Sequence, residues 1–547
     1  MVRIPGQLRA RDGRRREEVE RCLAALGLGR RFPRRLQAAT DPPPIVRLAA
    51  ALPALGPVFT AFGRYLSTRV DLLPEGDCEV LSTVPDDAPP LPPEPVRDLL
   101  LSELGPERVF AAFDPVPSVS TLVYQEHRAR VAGAPVVVRL VRPELAAESA
   151  RDLDLLPLLR PALAAGGAEP RWLGAAVDDF TGMLAVASDH DREAAALIAM
   201  GHDGAASGLA LSAPRVLRDL STARVLTVEE LPGATLAGFP PPALRHGDSA
   251  AEAGFPAGGR WGAEELAMRL CQAWLRQACF GQVFPVDFRD GDVRLLPDRR
   301  IAWTGGTFAA LPPAAKVNLW EYLLAVAAQD TERACAALTR ELEGGPAGGS
   351  GPLHQRLRQL VPFRDGGWGA RDDLAGYLFL HWRCAARAGY RPRAHGIAFY
   401  RGLARLAAAA RRLAPGRDAL REGLEAARLT AGMDDVIRLF GREQIKEVMG
   451  DYAAALLTLP ERVNELLNLA AEGRVTVKVE VVEPPAERRR KDLPALTLAA
   501  LSAMTAVVLL ARHLESAGLF GPWPERVAAA LLGLLGAFLF LGARRWP

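Results

Sequence analysis

The chain has 547 residues, of which 49% are hydrophobic and 24% charged, so it is long enough for two or three folded cores and is not a disordered protein. Its 67 basic and 64 acidic residues leave a formal charge of only +3, which excludes a generally basic surface for nucleic acid. The six cysteines form no C-x-x-C pair, so we expect reduced thiols and no zinc site.

The N-terminal part predicts helices joined by proline-rich connectors. Residues 1–50 predict a basic amphipathic leader that ends near "DPPPIV". The N-terminal residues lack the apolar core of a signal peptide, so we expect the bulk of the chain in the cytoplasm. A second proline-rich connector starts at Pro85. It leads into helical spacing from Glu94 to Leu104, with a proline in the first turn.

The middle of the chain changes to strand patterns. The valine-rich run Ala134 to Val141 predicts a buried strand, and Ala223 to Leu231 predicts a second. The segment Asp292 to Trp303 alternates as two short strands around a turn at Pro297 to Arg299. From Lys316 to about Gly473 the pattern is that of long helices, interrupted by a glycine-rich loop at Glu343 to Pro352.

The C-terminal end predicts a membrane hairpin. Leu493 to Ala511 is uncharged over the length of a bilayer-spanning helix, and Val527 to Gly542 is a slightly shorter second span. Basic residues precede the first span at Arg488 to Lys491 and follow the second, which places both ends of the hairpin in the cytoplasm. The alternative is a buried helical pair in a soluble domain.

Several long stretches resemble, in order and spacing, the UbiB/AarF atypical kinase-like family. They are Leu55 to Pro74, Phe113 to Pro143, Arg192 to Ala195, Leu220 to Gly233 and Leu457 to Val481, followed by the hydrophobic hairpin. The resemblance implies an α+β, protein-kinase-like bilobal fold with a small mixed sheet lobe and a helical lobe. The implied divisions are a basic leader (1–50), an N-lobe with a family-specific extension (51–235), a helical C-lobe (236–482) and a membrane anchor with two transmembrane helices (483–547).

The family's charged motifs are altered in this chain. Where the family has K-x-G-Q, this chain has Ala61, Phe62, Gly63 and Arg64, and where it has E-x-D, this chain has Ala187, Ser188 and Asp189. The alanine-rich nucleotide loop is replaced by the bulkier segment Val119 to Ala129, in which Leu122 and Tyr124 would intrude on phosphate if they face inward. The D-F-G aspartate, the chief magnesium ligand, is replaced by Gly305.

Some positions keep groups that the resemblance assigns to nucleotide, metal and catalysis. Asp287 matches the general base and Asp292 the metal-binding asparagine of the catalytic loop. Arg139 replaces the phosphate-binding strand lysine, and Gln125 belongs to the nucleotide loop. Glu193 could pair with Arg139 across the small lobe. ATP and Mg²⁺ would be the cofactors of such a site.

Three hypotheses of function follow. The first is a membrane-anchored pseudokinase of the inner (cytoplasmic) membrane that supports or regulates ubiquinone or isoprenoid-lipid biosynthesis, with a membrane lipid, a polyprenyl or quinone precursor, or quinone-biosynthesis enzymes as partners and no nucleic acid. The second is a divergent active ATPase or small-molecule kinase that uses Asp287, Asp292 and Arg139. The third is a structural membrane tether for a protein complex.

Overall fold

The computed structural model describes residues 6–28, 42–105, 110–164, 172–207, 211–239, 261–345, 351–359 and 373–430. These residues all lie in the first of two compact units, Met1–Gly450 and Asp451–Pro547. The predicted membrane spans and their basic flanks, and the segment Leu457 to Val481, lie outside the described residues. None of the helices within the described ranges combines the length and apolar character needed to cross a membrane.

A helical extension precedes the first sheet. Its helices are α1 (Gly6–Ala25), α2 (Pro44–Leu55), α3 (Pro57–Leu66), α4 (Glu75–Ser82) and α5 (Pro93–Leu104). Prolines occupy first-turn positions in α2, α3 and α5, where no intrahelical N–H is required. Gly56 has a φ of 109° and makes the turn between α2 and α3. The predicted end of the leader, residue 50, lies inside α2.

A five-stranded antiparallel sheet forms the small lobe, in the order β1-β3-β4-β6 with β2 also paired to β3. The strands are β1 (Ala112–Phe113), β2 (Val119–Ser120), β3 (Tyr124–Val131), β4 (Ala134–Val141) and β6 (Val225–Glu229). Both predicted strands are confirmed, because β4 covers the valine run and β6 lies within the second run. On one face, Val136 and Val138 pack with Val96 of α5.

Helices follow β4 along the chain, and one of them, α9, packs on the other side of this sheet. They are α6 (Pro143–Leu153), α7 (Arg160–Ala164), α8 (Leu173–Ala187) and α9 (His190–Ser207). Ala194 and Leu197 of α9 are fully buried against Leu226 and Val228 of β6. This packing brings the first turn of α9, including Glu193, next to the sheet.

Short strands connect the sheet lobe to the helical lobe. One sheet has the strand order β5-β10-β9-β7 and consists of β5 (Leu211–Ser212), β7 (Ala234–Thr235), β9 (Val293–Leu295) and β10 (Ile301–Trp303). In a second, two-stranded sheet, β8 (Phe284–Asp287) pairs with β11 (Thr307–Ala309). The predicted pair of strands around a turn is confirmed as β9 and β10, with Arg299 at a φ of 64° in the turn. Pairing of Thr307 with Asp287 places the D-F-G position beside the catalytic loop.

The helical lobe is built around α10. Its described elements are α10 (Ala263–Phe280), α11 (Pro313–Ala327), α12 (Thr331–Arg340), β12 (Leu342–Gly344), α13 (Gly351–Gln359), α14 (Leu374–Arg387), β13 (Tyr390–Pro392), α15 (Ala394–Leu413) and α16 (Ala419–Thr430). Trp274 of α10 donates its Nε1–H to the Pro285 carbonyl at 2.8 Å, which fixes β8. The six cysteines are free thiols, as predicted.

The glycine-rich loop predicted at Glu343 to Pro352 has regular structure at both of its described ends, and residues 346–350 lie outside the described residues. Its first residues belong to β12, which pairs with β13, and α13 begins at Gly351. The backbone pairing partner is almost fifty residues further along the chain, so the local glycine content gave no sign of it.

Candidate functional site

Arg139 is the centre of a buried ion-pair cluster at the junction of the lobes. It lies opposite Glu126 in the β3–β4 register, so both side chains leave the same face of the sheet. Its Nε donates to Glu126 Oε1 at 2.6 Å and its Nη1 donates to Glu193 Oε1. Burial alone would lower the pKa of Arg139, but the two carboxylates raise it well above its ordinary value. The predicted pairing of Arg139 with Glu193 is confirmed.

The Arg139 guanidinium occupies the space that a side chain at residue 305 would need. A Cβ atom built on Gly305 would lie 2.5 Å from Arg139 Nη2 and closer still to Nη1 and Cζ. The next residue, Gly306, donates its backbone N–H to Glu193 Oε1 at 3.2 Å. The aspartate missing from the D-F-G position is therefore incompatible with Arg139 in this position.

Tyr124 fills the region between the nucleotide loop and the catalytic loop. Its ring centre lies 5.3 Å from Cζ of Arg139 and 5.2 Å from Cζ of Arg289. Its hydroxyl accepts a hydrogen bond from Arg289 Nη2 and donates to Asp292 Oδ1 at 3.4 Å. Burial raises the pKa of Tyr124 well above its ordinary value, so the phenol stays neutral. Tyr124 does face inward, which was the condition for its predicted intrusion on phosphate.

Asp292, the predicted metal ligand, is 2% exposed and is held by Arg289. Its Oδ2 accepts from the Arg289 backbone N–H at 2.8 Å, and its Oδ1 accepts from Arg289 Nη2 at 3.0 Å. Burial opposes ionisation of Asp292, but Arg289 and then Arg139 outweigh burial and lower its pKa. Asp292 is therefore an ionised carboxylate with both oxygens engaged.

Asp287, the predicted general base, ends β8 and faces two arginines of α15. Its Oδ1 accepts from Arg405 Nε at 2.9 Å and its Oδ2 accepts from Arg401 Nη2 at 3.3 Å. The four-residue spacing of these arginines puts both on one face of the helix. They outweigh the cost of burial and lower the pKa of Asp287. The neighbouring Asp290 is paired with Arg412.

A cavity of about 100 Å³ lies beside these groups. Ala61 and Ala187, at the positions of the family's lysine and glutamate, both line it, together with Met183. Arg64 lies on the polar side, where it donates to the Val84 carbonyl at 2.9 Å and pairs with Asp86 at 3.4 Å. The structure thus brings the two altered motifs to one cavity.

Gln125 lies on the opposite face of β3 from Tyr124 and Glu126. It is fully buried, accepts from the Leu91 backbone N–H at 2.9 Å and contacts His127 Nε2 at 2.8 Å. Gln125 therefore holds the α5 connector to the sheet, and the structure does not bring it together with the other predicted site residues.

The residues present do not fit a magnesium–nucleotide complex. Mg²⁺ requires carboxylate or other oxygen ligands in octahedral geometry. Residue 305 supplies no oxygen ligand from a side chain, and the oxygens of Asp287 and Asp292 accept from arginines. Over the ranges that the structure describes, no group of three or more His, Cys, Asp and Glu side chains is arranged to hold a metal ion.

The sequence did not identify Arg289, Arg401 and Arg405 as partners of the catalytic-loop acids. Arg401 and Arg405 lie more than one hundred residues from Asp287, so no local spacing connects them. The sequence could have identified Glu126 as a site residue, because side chains alternate along β3 and Glu126 therefore shares a face with Tyr124.

The comparisons agree with this kinase-like arrangement. Residues 83–338 match the family model described as the ABC1 atypical kinase-like domain. A protein named "Probable protein kinase UbiB" from Pseudomonas entomophila (strain L48) is 37% identical over 192 residues, which cover 34% of this chain and 36% of that protein. A protein of the same name from Azotobacter vinelandii is 36% identical over 218 residues, 39% of this chain and 40% of that protein.

A solved structure was also matched. It is the complex structure of Rv3197 and erythromycin from Mycobacterium tuberculosis, with 19% identity, a TM-score of 0.37, and coverage of 65% of this chain and 92% of that one.

The protein is thus an atypical kinase-like protein with a mixed α+β fold. Residues 83–338 match the ABC1 atypical kinase-like domain, and the chain is similar to proteins named UbiB. The matched segments span 36% to 40% of the length of these two relatives.

Proposed function

We propose that this chain is a pseudokinase: it keeps the kinase-like fold of its family and does not catalyse magnesium-dependent phosphoryl transfer. The observation that carries the proposal is that the Arg139 guanidinium occupies the space that a side chain at residue 305 would need. Phosphoryl transfer in kinases depends on an aspartate at this position that holds Mg²⁺ against the nucleotide phosphates. Here the same space holds the fork of Arg139, which is itself bound to Glu126 and Glu193.

The charge balance of the site supports the same proposal. The carboxylates of Glu126, Glu193, Asp287 and Asp292 are each paired with an arginine of the chain, so the positive charge that a metal would supply is already present. Removing one partner of a buried pair leaves an unpaired charge at a cost of about 3–5 kcal/mol. Binding Mg²⁺ would require breaking such pairs.

The role of the fold is then binding and regulation at the membrane. We propose that the chain is anchored in the inner (cytoplasmic) membrane by its C-terminal segments. There it supports ubiquinone or isoprenoid-lipid biosynthesis by binding a membrane lipid or quinone precursor, or an enzyme that acts on one. Its relatives named UbiB and the predicted spans at Leu493 to Ala511 and Val527 to Gly542 support this role.

The test is steady-state hydrolysis of Mg·ATP by the purified full-length protein, compared with its Asp287→Asn and Asp292→Ala variants. The proposal predicts the same background rate for all three proteins. Turnover by the unmodified protein that requires Mg²⁺ and is lost in both variants would overturn the proposal and establish the divergent enzyme instead.

A further inference from the structure

A second cavity lies apart from the acidic residues of the kinase-like site, between the α2–α3 turn and the connector at residues 85–89. Its volume is about 340 Å³, within the range of about 300–1,000 Å³ that is typical of small-molecule sites. Leu122 lines both this cavity and the smaller one, so the two are neighbours. We call the larger cavity the proline groove.

One wall of the proline groove is the tight turn between α2 and α3. Pro53, Gly56 and Pro57 line it, and the two proline rings fix the backbone there. Thr60 also lines this wall, and its hydroxyl donates to the Gly56 carbonyl at 2.7 Å and contacts the Leu52 carbonyl at 3.1 Å. The wall is therefore rigid, and its hydroxyl is bonded to its own backbone.

The facing wall is the proline-rich connector, lined by Pro85, Ala88 and Pro89. Its backbone polar groups bond to the sheet side of the chain: the Ala88 N–H donates to the Ser120 carbonyl at 3.1 Å, and the Pro89 carbonyl accepts from Arg142 Nη2 at 2.6 Å. These bonds hold the connector in place, so Pro85, Ala88 and Pro89 form a fixed wall whose side chains are apolar.

The groove has the chemistry of a site for an apolar chain. Rigid walls lower the entropic cost of binding, because little of the protein has to be ordered. An apolar cavity of about 150 Å³ is enough to bind benzene, so a groove roughly twice that size suits a chain longer than one ring. The charged residues among those lining it are Asp87, which is exposed, and Arg142.

We infer that the proline groove binds the hydrocarbon chain of a lipid, with the polar end of the lipid near Asp87 and Arg142. The inference rests on the proposed lipid-binding role and adds to it a site outside the kinase-like centre. Isoprenoid and fatty-acyl chains share the required chemistry.

The test is photolabelling of the full-length protein in nanodiscs with two alcohols that carry a diazirine on the chain, one derived from geranylgeraniol and one from hexadecanol. Mass spectrometry of the digested protein locates the label. We expect labelled peptides that contain residues 53–60 and 85–89. Unlabelled geranylgeraniol or hexadecanol competes for the label, and the stronger competitor identifies the chain type.

Two variants fill the groove from the connector side, Pro85→Trp and Ala88→Trp. Each is expected to reduce labelling of the peptide with residues 53–60 by about tenfold, the effect of losing about 1.4 kcal/mol of apolar contact. Ala111→Trp introduces the same side chain at an exposed position of the same lobe and should leave labelling unchanged. Thermal unfolding of each variant shows whether it is folded.

The inference would be overturned if these peptides are not labelled in the unmodified protein. It would also be overturned if their labelling is the same in both groove variants as in the unmodified protein. Hydrolysis of Mg·ATP, measured on the same preparation, reports separately on the pseudokinase proposal. If the protein hydrolyses Mg·ATP and the groove peptides are labelled, only the pseudokinase proposal is rejected. If there is neither hydrolysis nor labelling, only the proline-groove inference is rejected.

Discussion

Restoring the missing acid should damage the protein rather than revive it. In Gly305→Asp, the new Cβ would overlap the Arg139 guanidinium, which is 2% exposed and bonded to Glu126 and Glu193. Arg139 can move only by giving up buried ion pairs, and breaking a buried pair costs about 3–5 kcal/mol. We therefore expect Gly305→Asp to be destabilised by about 3 kcal/mol or more and to show no hydrolysis of Mg·ATP.

The reasoning also predicts a partial rescue. Lysine at position 139 has no planar fork, so Arg139→Lys in the Gly305→Asp background should recover about 1–3 kcal/mol of the loss, the usual coupling between contacting residues. The matched control is Gly174→Asp, in the first turn of α8, where an added Cβ meets no atom within 4 Å and the stability should change by less than about 1 kcal/mol. Urea unfolding followed by tryptophan fluorescence gives the midpoints. Unchanged stability of Gly305→Asp, or no coupling with Arg139→Lys, would refute the steric account.

Three further predictions concern other parts of the site and the helical lobe. Tyr124→Phe should lower stability by about 1–3 kcal/mol, because Arg289 and Asp292 lose a buried partner, and this is measured by urea unfolding, with an unchanged midpoint as the contrary result. Asp287→Asn should also lower the midpoint, since Arg405 loses its carboxylate, and equal stability would contradict the ion pairing. Burial raises the pKa of Asp418 to about 6, so its stabilising protonated form is fully present below pH 3.8 and is lost as the pH rises through about 6. Asp418→Asn should remove this loss between pH 4 and 6, and an identical pH profile of unfolding midpoints would count against it.

The local features of the fold could be predicted from the sequence. The valine run of β4 is a strand because β-branched side chains suit a buried pleated surface, and the turn before Arg300 separates β9 from β10. The loss of an acid at residue 305 also followed from the sequence, since Gly305 has no side chain. These conclusions need only neighbouring residues.

The contents of the site depend on contacts between distant residues. Arg139 lies on β4 and Gly305 lies between β10 and β11, and nothing in either segment shows that one fills the space left by the other. Gln125 follows Tyr124 directly in β3, so strand alternation sends it to the opposite face, where it bonds to Leu91. A motif match assigns residues to a site by order along the chain, whereas the pleat of the strand decides which of them face it.

The most direct test of the pseudokinase is a thermal-shift titration of the full-length protein with ATP, with and without Mg²⁺. A nucleotide that binds the native state with a dissociation constant one hundredfold below its concentration would add about 2.7 kcal/mol of stability. We predict no Mg²⁺-dependent change in Tm, because Arg139 fills the space of a side chain at residue 305 and the oxygens of Asp287 and Asp292 already accept from arginines. A rise in Tm that requires both ATP and Mg²⁺ would contradict this account.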